Sequence, residues 1–109
     1  MAALMGAAED RLRAIRKGWC ELDKLTAQDP EAALVMFERL VAETTAALKI
    51  IWRLRDQQDR LVLVEYYLLR KTVPQIAEED GVGQDAVFRR KRLALNHLDF
   101  ILKERSNNE

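Results

Sequence analysis

Cysteine, proline and glycine are all scarce in this chain of 109 residues. Cys20 is the one cysteine, so a disulfide framework and a cysteine-based zinc cluster are both excluded. Low cysteine usage favours a reducing compartment, and the cytoplasm is the expected location. Only two prolines and four glycines interrupt the sequence, which favours long helices.

An excess of one charge is also missing, because 18 acidic residues balance 18 basic ones. Without a global field, any binding to nucleic acid must come from a local basic patch. Long apolar runs are absent too, so no contact with a membrane is expected. The apolar start, Met1 to Gly6, is too short for a signal-peptide core.

The first half of the chain shows two amphipathic helical patterns, expected over roughly Ala2 to Ala27 and about Pro30 to Arg55. Asp29 and Pro30 between them are a typical helix start. A heptad-like seam runs along the second pattern through Leu34, Phe37, Val41, Thr44, Leu48 and Ile51. A second edge is formed by Leu40, Ala47 and Leu54.

The short link between these helices predicts an antiparallel, coiled-coil-like hairpin over residues 1–56, used for packing or dimerisation. The apolar stripe of the second helix is broad. It can therefore also pack on the rest of the chain or on a second copy. Gly18 in the first helix is expected to be a weak point that costs about 1 kcal/mol relative to Ala.

The second half, residues 57–109, predicts three further helices. The first runs from about Gln57 to Arg70 and is capped by Asp56. Thr72 can cap a short second helix, and Gly81 supplies the positive backbone angle of a tight turn. The third begins near Gln84, and its inward residues are expected to be Val87, Ala94, Leu98, Ile101 and Leu102.

The stretch from about Arg60 to Leu98 resembles region four of bacterial sigma factors, a helix-turn-helix. The matching features are Arg60, Val62-Leu63, the pair Tyr66-Tyr67, Thr72, the run Ile76-Ala77-Glu78-Glu79, Gly81-Val82, Val87, Ala94-Leu95 and Leu98. With a helical hairpin in front, the whole chain resembles small phage-encoded transcriptional regulators of the ArpU/RinA type. The expected fold is therefore all-α, a long hairpin followed by a helix-turn-helix.

The resemblance implies that the last helix enters the major groove of double-stranded DNA. The residues predicted to contact DNA are Gln84, Asp85, Phe88, Arg89, Arg90, Arg92 and Asn96. Phosphate contacts are predicted for Arg70, Lys71 and Thr72, before the turn. Two alternatives stay open: the basic run of residues 89–92 is a solvated face, and Phe88 packs at the edge of the core rather than on a thymine methyl.

Two charged residues, Asp80 and Lys91, stand where the family has apolar ones. We expect either that they pair across the turn or that Lys91 reaches solvent along its stem. Gly83 replaces the usual Ser or Thr cap. Leu93 and Phe100 form a second stripe on the last helix, which predicts an interface with the hairpin or, in a homodimer, with a second chain.

No residue pattern indicates catalysis, a metal or a cofactor. His97 is the sole histidine and is expected to be structural, and Cys20 is expected to be a buried thiol. The sequence therefore predicts a DNA-binding regulator, not an enzyme. The alternatives are a module that imitates region four to bind RNA polymerase, a sigma factor or another host protein, and a small phage-encoded inhibitor.

Overall fold

Over residues 6–107, which the computed structural model describes, the fold consists of five α-helices with one π-helical turn. Helix α1 is Ala7–Gln28, α2 is Pro30–Ile51, α3 is Gln57–Leu63, α4 is Val73–Asp80 and α5 is Gln84–Asn107. The all-helical prediction is confirmed for this part of the chain, and the predicted start at Ala2 lies outside it. None of these helices combines the length and apolar character needed to cross a bilayer.

Helices α1 and α2 pack together as an antiparallel pair joined by Asp29 alone. The Asp29 carboxylate accepts a hydrogen bond from the backbone N–H of Ala32 at 3.2 Å, and Pro30 takes the first helical position, as the sequence predicted. Along the pair, the Trp19 indole N–H donates to Thr44 Oγ1 at 2.9 Å. The hairpin expected from the short link is therefore present.

The hairpin is closed by the second edge of α2 together with part of the predicted heptad seam, since Thr44 accepts from Trp19 and Ile51 is buried. Ala33, Leu40 and Ala47 are buried, whereas four seam residues remain exposed: Leu34, Phe37, Val41 and Leu48. Gly18 lies under Leu40, because a Cβ placed on it would be 2.6 Å from Leu40 Cδ2. Gly18 therefore permits the close approach of α1 and α2, where the sequence suggested only a weak point.

The helix predicted to reach Arg70 changes character at its midpoint. After Leu63 it continues as a π-helical turn, Val64–Leu68, in which the Leu69 N–H donates to the Val64 carbonyl at 2.8 Å. Arg70 then reverses the chain with a φ of 61°, in the left-handed region that glycine usually occupies. The wide turn places the rings of Tyr66 and Tyr67 edge to face, with centroids 4.8 Å apart.

One apolar core joins the hairpin to the C-terminal helices. Leu12 and Ile15 of α1 and Ile51 of α2 belong to the same buried cluster as residues of α3, α4 and α5. The inward residues predicted for α5 agree, since Val87, Ala94 and Leu98 are buried and Ile101 and Leu102 are partly buried. The predicted boundary after residue 56 falls between α2 and α3, and the core extends across it.

Candidate nucleic-acid interface

The segment that leads into α5 is held by local hydrogen bonds. Thr72 Oγ1 accepts from the Gln75 N–H at 3.3 Å, and Gln75 Oε1 accepts from the Thr72 N–H at 2.8 Å, which forms a capping box at the start of α4. Gly81 ends α4 with φ 67° and ψ 35°, the left-handed geometry that the sequence predicted. These contacts fix the direction in which α5 leaves the turn.

The outer face of α5 presents most of the residues predicted to contact DNA. The exposed members are Gln84, Asp85, Phe88, Arg89, Arg92 and Asn96. Arg89 and Arg92 form no ion pair and no side-chain hydrogen bond with another residue of the described chain. The guanidinium groups of Arg89 and Arg92, three residues apart on α5, therefore have no carboxylate partner in the described chain.

Arg90 differs from its neighbours because it is paired within the chain. Its Nη1 lies 3.4 Å from Asp80 Oδ2, so Arg90 makes the charge pair across the turn that one of the two alternatives assigned to Lys91. Successive helical residues point about 100° apart, which turns Arg90 toward α4 and Lys91 toward α1. Lys91 Nζ instead lies 4.1 Å from the centroid of the Tyr66 ring and 5.5 Å from that of Phe88.

The three residues predicted to contact phosphates are all engaged inside the chain. Arg70 Nη1 lies 3.4 Å from Asp23 Oδ2. Lys71 Nζ lies 2.7 Å from Glu79 Oε2 and 3.2 Å from Glu65 Oε2, and these hydrogen bonds raise the pKa of Lys71, with Glu79 contributing most. The Thr72 side chain caps α4. Their contact with phosphate stays a prediction.

A basic cluster on α1, which the sequence analysis missed, borders α5. Arg13, Arg16 and Lys17 line a groove of about 250 Å³ together with Lys91. Arg16 and Lys17 follow Arg13 by three and four residues, and this spacing is the signal that could have revealed a shared face. Arg13 and Lys17 pair only with exposed carboxylates of their own helix, at 2.8 and 3.9 Å. Such pairs contribute little free energy and exchange readily.

The second apolar stripe of α5 is not covered by the hairpin. Leu93 is 53% exposed and Phe100 is 62% exposed. Of the two partners expected for this stripe, the hairpin is therefore excluded, and the second chain stays a prediction. Phe88 is also exposed, although the centroid of its ring lies 5.5 Å from Lys91 Nζ.

His97 lies against a buried carboxylate, whereas Cys20 lies at the surface of α1. His97 Nδ1 lies 2.6 Å from Asp59 Oδ2, which joins α5 to α3. Cys20 is exposed, so the expectation of a buried thiol is wrong, because Trp19 and not Cys20 faces α2. Among residues 6–107, no cluster of three or more His, Cys, Asp or Glu could hold a metal ion.

No family model, no curated protein and no solved structure matches this chain. The likeness to region four therefore rests on residues of this sequence alone, and the geometry of α5 and its surroundings is the structural evidence on function.

Proposed function

We propose that this chain is a DNA-binding transcriptional regulator that reads duplex DNA with the N-terminal half of α5. The observation that carries the proposal is the pair Arg89 and Arg92, both exposed on one face and both without an acidic partner in the described chain. An α-helix fits into the major groove, where arginine recognises guanine with two parallel hydrogen bonds. Such a patch can bind DNA although the net charge is zero.

The neighbouring side chains have complementary roles in this proposal. Gln84 and Asn96 are exposed amides suited to adenine, Asp85 can accept from cytosine N4, and Phe88 can contact a thymine methyl. Arg90 forms an ion pair with Asp80 and therefore helps to orient α5 against α4. To contact a phosphate it would have to leave this carboxylate. The outer face of α5 thus offers groups for base recognition and not only charge.

Phosphates beside the groove are assigned chiefly to α1. Arg13 and Lys17 have only exposed partners, so DNA can replace Glu9 and Glu21 at little cost. Lys71 would first have to leave Glu65 and Glu79, whereas the exposed Arg70–Asp23 pair can exchange as readily as the pairs on α1. The helical hairpin would then contribute to the DNA surface directly, and dimerisation would bring two such surfaces to two half-sites.

The test is fluorescence anisotropy with labelled duplexes, first a mixed-sequence pool and then a duplex selected from it. Arg89→Ala with Arg92→Ala is expected to weaken binding to the selected duplex by about tenfold or more. The slope of log affinity against log salt should shrink by about one for each lost phosphate contact. The control, Arg11→Ala with Lys24→Ala, removes the same charge from exposed positions on α1 that lie outside the basic cluster. Equal losses in both double variants would contradict the proposal.

A second candidate is a protein-interaction module that imitates region four to bind RNA polymerase or a sigma factor. The exposed Phe88, Leu93 and Phe100 on α5 favour it, because exposed aromatic and large apolar groups are typical of protein interfaces. Capture of purified polymerase by the wild-type chain and not by Phe88→Ser, together with no DNA binding at low salt, would support this candidate over the first.

A further inference from the structure

Helix α2 carries a long apolar face that nothing in the described chain covers. Leu34 is 60% exposed and Trp52, directly after the helix, is 59% exposed, with exposed Val41 and Leu48 between them. Single exposed apolar residues are ordinary on protein surfaces, but a contiguous set marks an interaction site. The core accounts for the neighbouring side of α2, about 100° away around the helix, where Ala33, Leu40 and Ala47 are buried.

The exposed residues form a straight stripe. Its members alternate steps of four and three residues, in the order Leu34, Glu38, Val41, Thr45, Leu48 and Trp52. This spacing keeps side chains on one face of a helix over about 27 Å. Thr45 and the neighbouring Ala42 have short side chains and are both exposed, so a partner helix can approach closely at the centre. Arg39 and Glu43 pair with each other at 3.6 Å on the far side of α2 and do not interrupt the stripe.

We propose that two copies of this chain pair through the stripe, with their α2 helices antiparallel and the two-fold axis near residue 43. In this register Leu34 of one copy lies opposite Trp52 of the other, and Glu38 lies opposite Leu48, one residue from Lys49. Val41 lies opposite Thr45, whose methyl group gives it an apolar contact while the hydroxyl can turn to solvent at the edge. An interface between identical patches must be self-complementary, and the stripe meets that requirement.

The charges in and beside the stripe favour the antiparallel direction. Glu31 and Glu38 lie in the N-terminal half of α2, whereas Lys49 lies in its last turn and Arg53 just after it, and all four are exposed. Antiparallel pairing brings Glu38 of each copy beside Lys49 of the other. Parallel pairing would bring like charges together, which is destabilising.

This interface is independent of the DNA-binding proposal and differs from the interface predicted on α5. Leu93 and Phe100 lie seven residues apart and are accompanied by the charged face that DNA would occupy. The α2 stripe is longer and has complementary charges of its own. A dimer formed through α2 also leaves the outer face of α5 available.

The first experiment measures the mass of the purified full chain by sedimentation velocity from about 1 µM to 1 mM. The expected mass is twice that of the 12.6 kDa monomer at the higher concentrations. Val41→Glu at the centre of the stripe should weaken dimerisation at least about tenfold. The matched variant Leu93→Glu places the same charge on the other exposed stripe and should leave the dimer unchanged. A wild-type monomer throughout, or a dimer lost only with Leu93→Glu, would overturn the proposal.

The second experiment uses exposed charges only, so that folding is preserved even if Val41→Glu is not tolerated. Glu38→Lys and Lys49→Glu should each weaken the dimer by about three- to tenfold, because each change occurs twice in the symmetric pair. The combined variant should restore wild-type dimerisation at low salt. A combined variant as weak as the two single variants would overturn the antiparallel arrangement.

Discussion

The ammonium group of Lys91 lies 4.1 Å from the centre of the Tyr66 ring, and the guanidinium carbon of Arg16 lies 4.4 Å from the same centre. The Tyr66 ring thus contacts one cationic side chain from α5 and one from α1. The negative face of the ring explains how Lys91 is tolerated at a position that the sequence analysis placed among apolar ones. The contact also joins the basic cluster of α1 to the proposed DNA-reading helix.

A double-mutant cycle with Lys91→Met and Tyr66→Leu should give a coupling of about 0.5–2 kcal/mol in the free energy of unfolding. Met retains most of the aliphatic stem, so the cycle isolates the charge on the ring. The measurement is urea denaturation followed by circular dichroism. The control cycle, Lys91→Met with Asp80→Ala, should show coupling near zero, because Asp80 pairs with Arg90. Stronger coupling in the control cycle would show that Lys91 interacts with Asp80 and not with the Tyr66 ring.

Local rules predicted the helix boundaries best. Asp29 with Pro30, Asp56, Thr72 and Gly81 each end or begin an element where the sequence placed it, because capping and turn geometry depend on nearby residues. The turn at Arg70 was missed because nothing in the local sequence indicates it. No glycine occupies this left-handed position, and the Arg70 side chain is held by Asp23, which is distant in the sequence.

Periodicity could not predict which apolar face of α2 packs on α1. The stripe through Leu34, Val41 and Leu48 and the edge through Leu40 and Ala47 are both apolar, and either could face α1. Gly18 decides between them, since its missing side chain accepts Leu40. Likewise, Arg90 and Lys91 are both candidate partners for Asp80. The 100° step between them on the helix determines that Arg90, and not Lys91, points toward the Asp80 carboxylate.

Asp59 and His97 should stabilise the packing of α3 on α5. Asp59 is only 6% exposed, and removing its partner leaves a buried carboxylate with one hydrogen bond fewer. Asp59→Ala and His97→Ala are each expected to lower the free energy of unfolding by about 1–3 kcal/mol. The control, Lys103→Ala, changes an exposed residue of the same helix. If the double variant lost the sum of the two single effects, the two groups would be acting independently.

The two glycines between α4 and α5 should respond in opposite directions to substitution. Gly81 has a positive φ, so Gly81→Ala should destabilise the chain by about 1–2 kcal/mol although no atom obstructs the new methyl group. Gly83 directly precedes α5, its surroundings are open, and its carbonyl accepts from the Ala86 N–H at 3.1 Å. Gly83→Ser adds a capping hydroxyl and should stabilise by a few tenths of a kcal/mol. Thermal unfolding of both variants tests whether Gly81→Ala lowers the stability and Gly83→Ser raises it. A destabilised Gly83→Ser would show that position 83 does not cap α5.

Tyr67 should make the fold sensitive to alkaline pH. Its side chain is 1% exposed, and burial, with a smaller effect from the negative charge of Glu9, raises the pKa of the phenol far above its usual value. In the unfolded chain the phenol ionises at about pH 10, while the folded chain retains the proton. Its contribution to stability is therefore complete below that pH. Above it the free energy of unfolding should fall by about 1.4 kcal/mol per pH unit from this group.

The measurement is urea denaturation of the wild type and of Tyr67→Phe at neutral pH and at about pH 11. Phe retains the ring in the core and removes the ionisable group, so the difference in stability between the two pH values should be smaller in the variant by roughly 1 kcal/mol. Comparing each protein with itself at neutral pH cancels the packing effect of the lost hydroxyl, and the remaining tyrosine and the lysines titrate in both. An equal loss in both proteins would mean that the Tyr67 phenol ionises in the folded chain as easily as in the unfolded one.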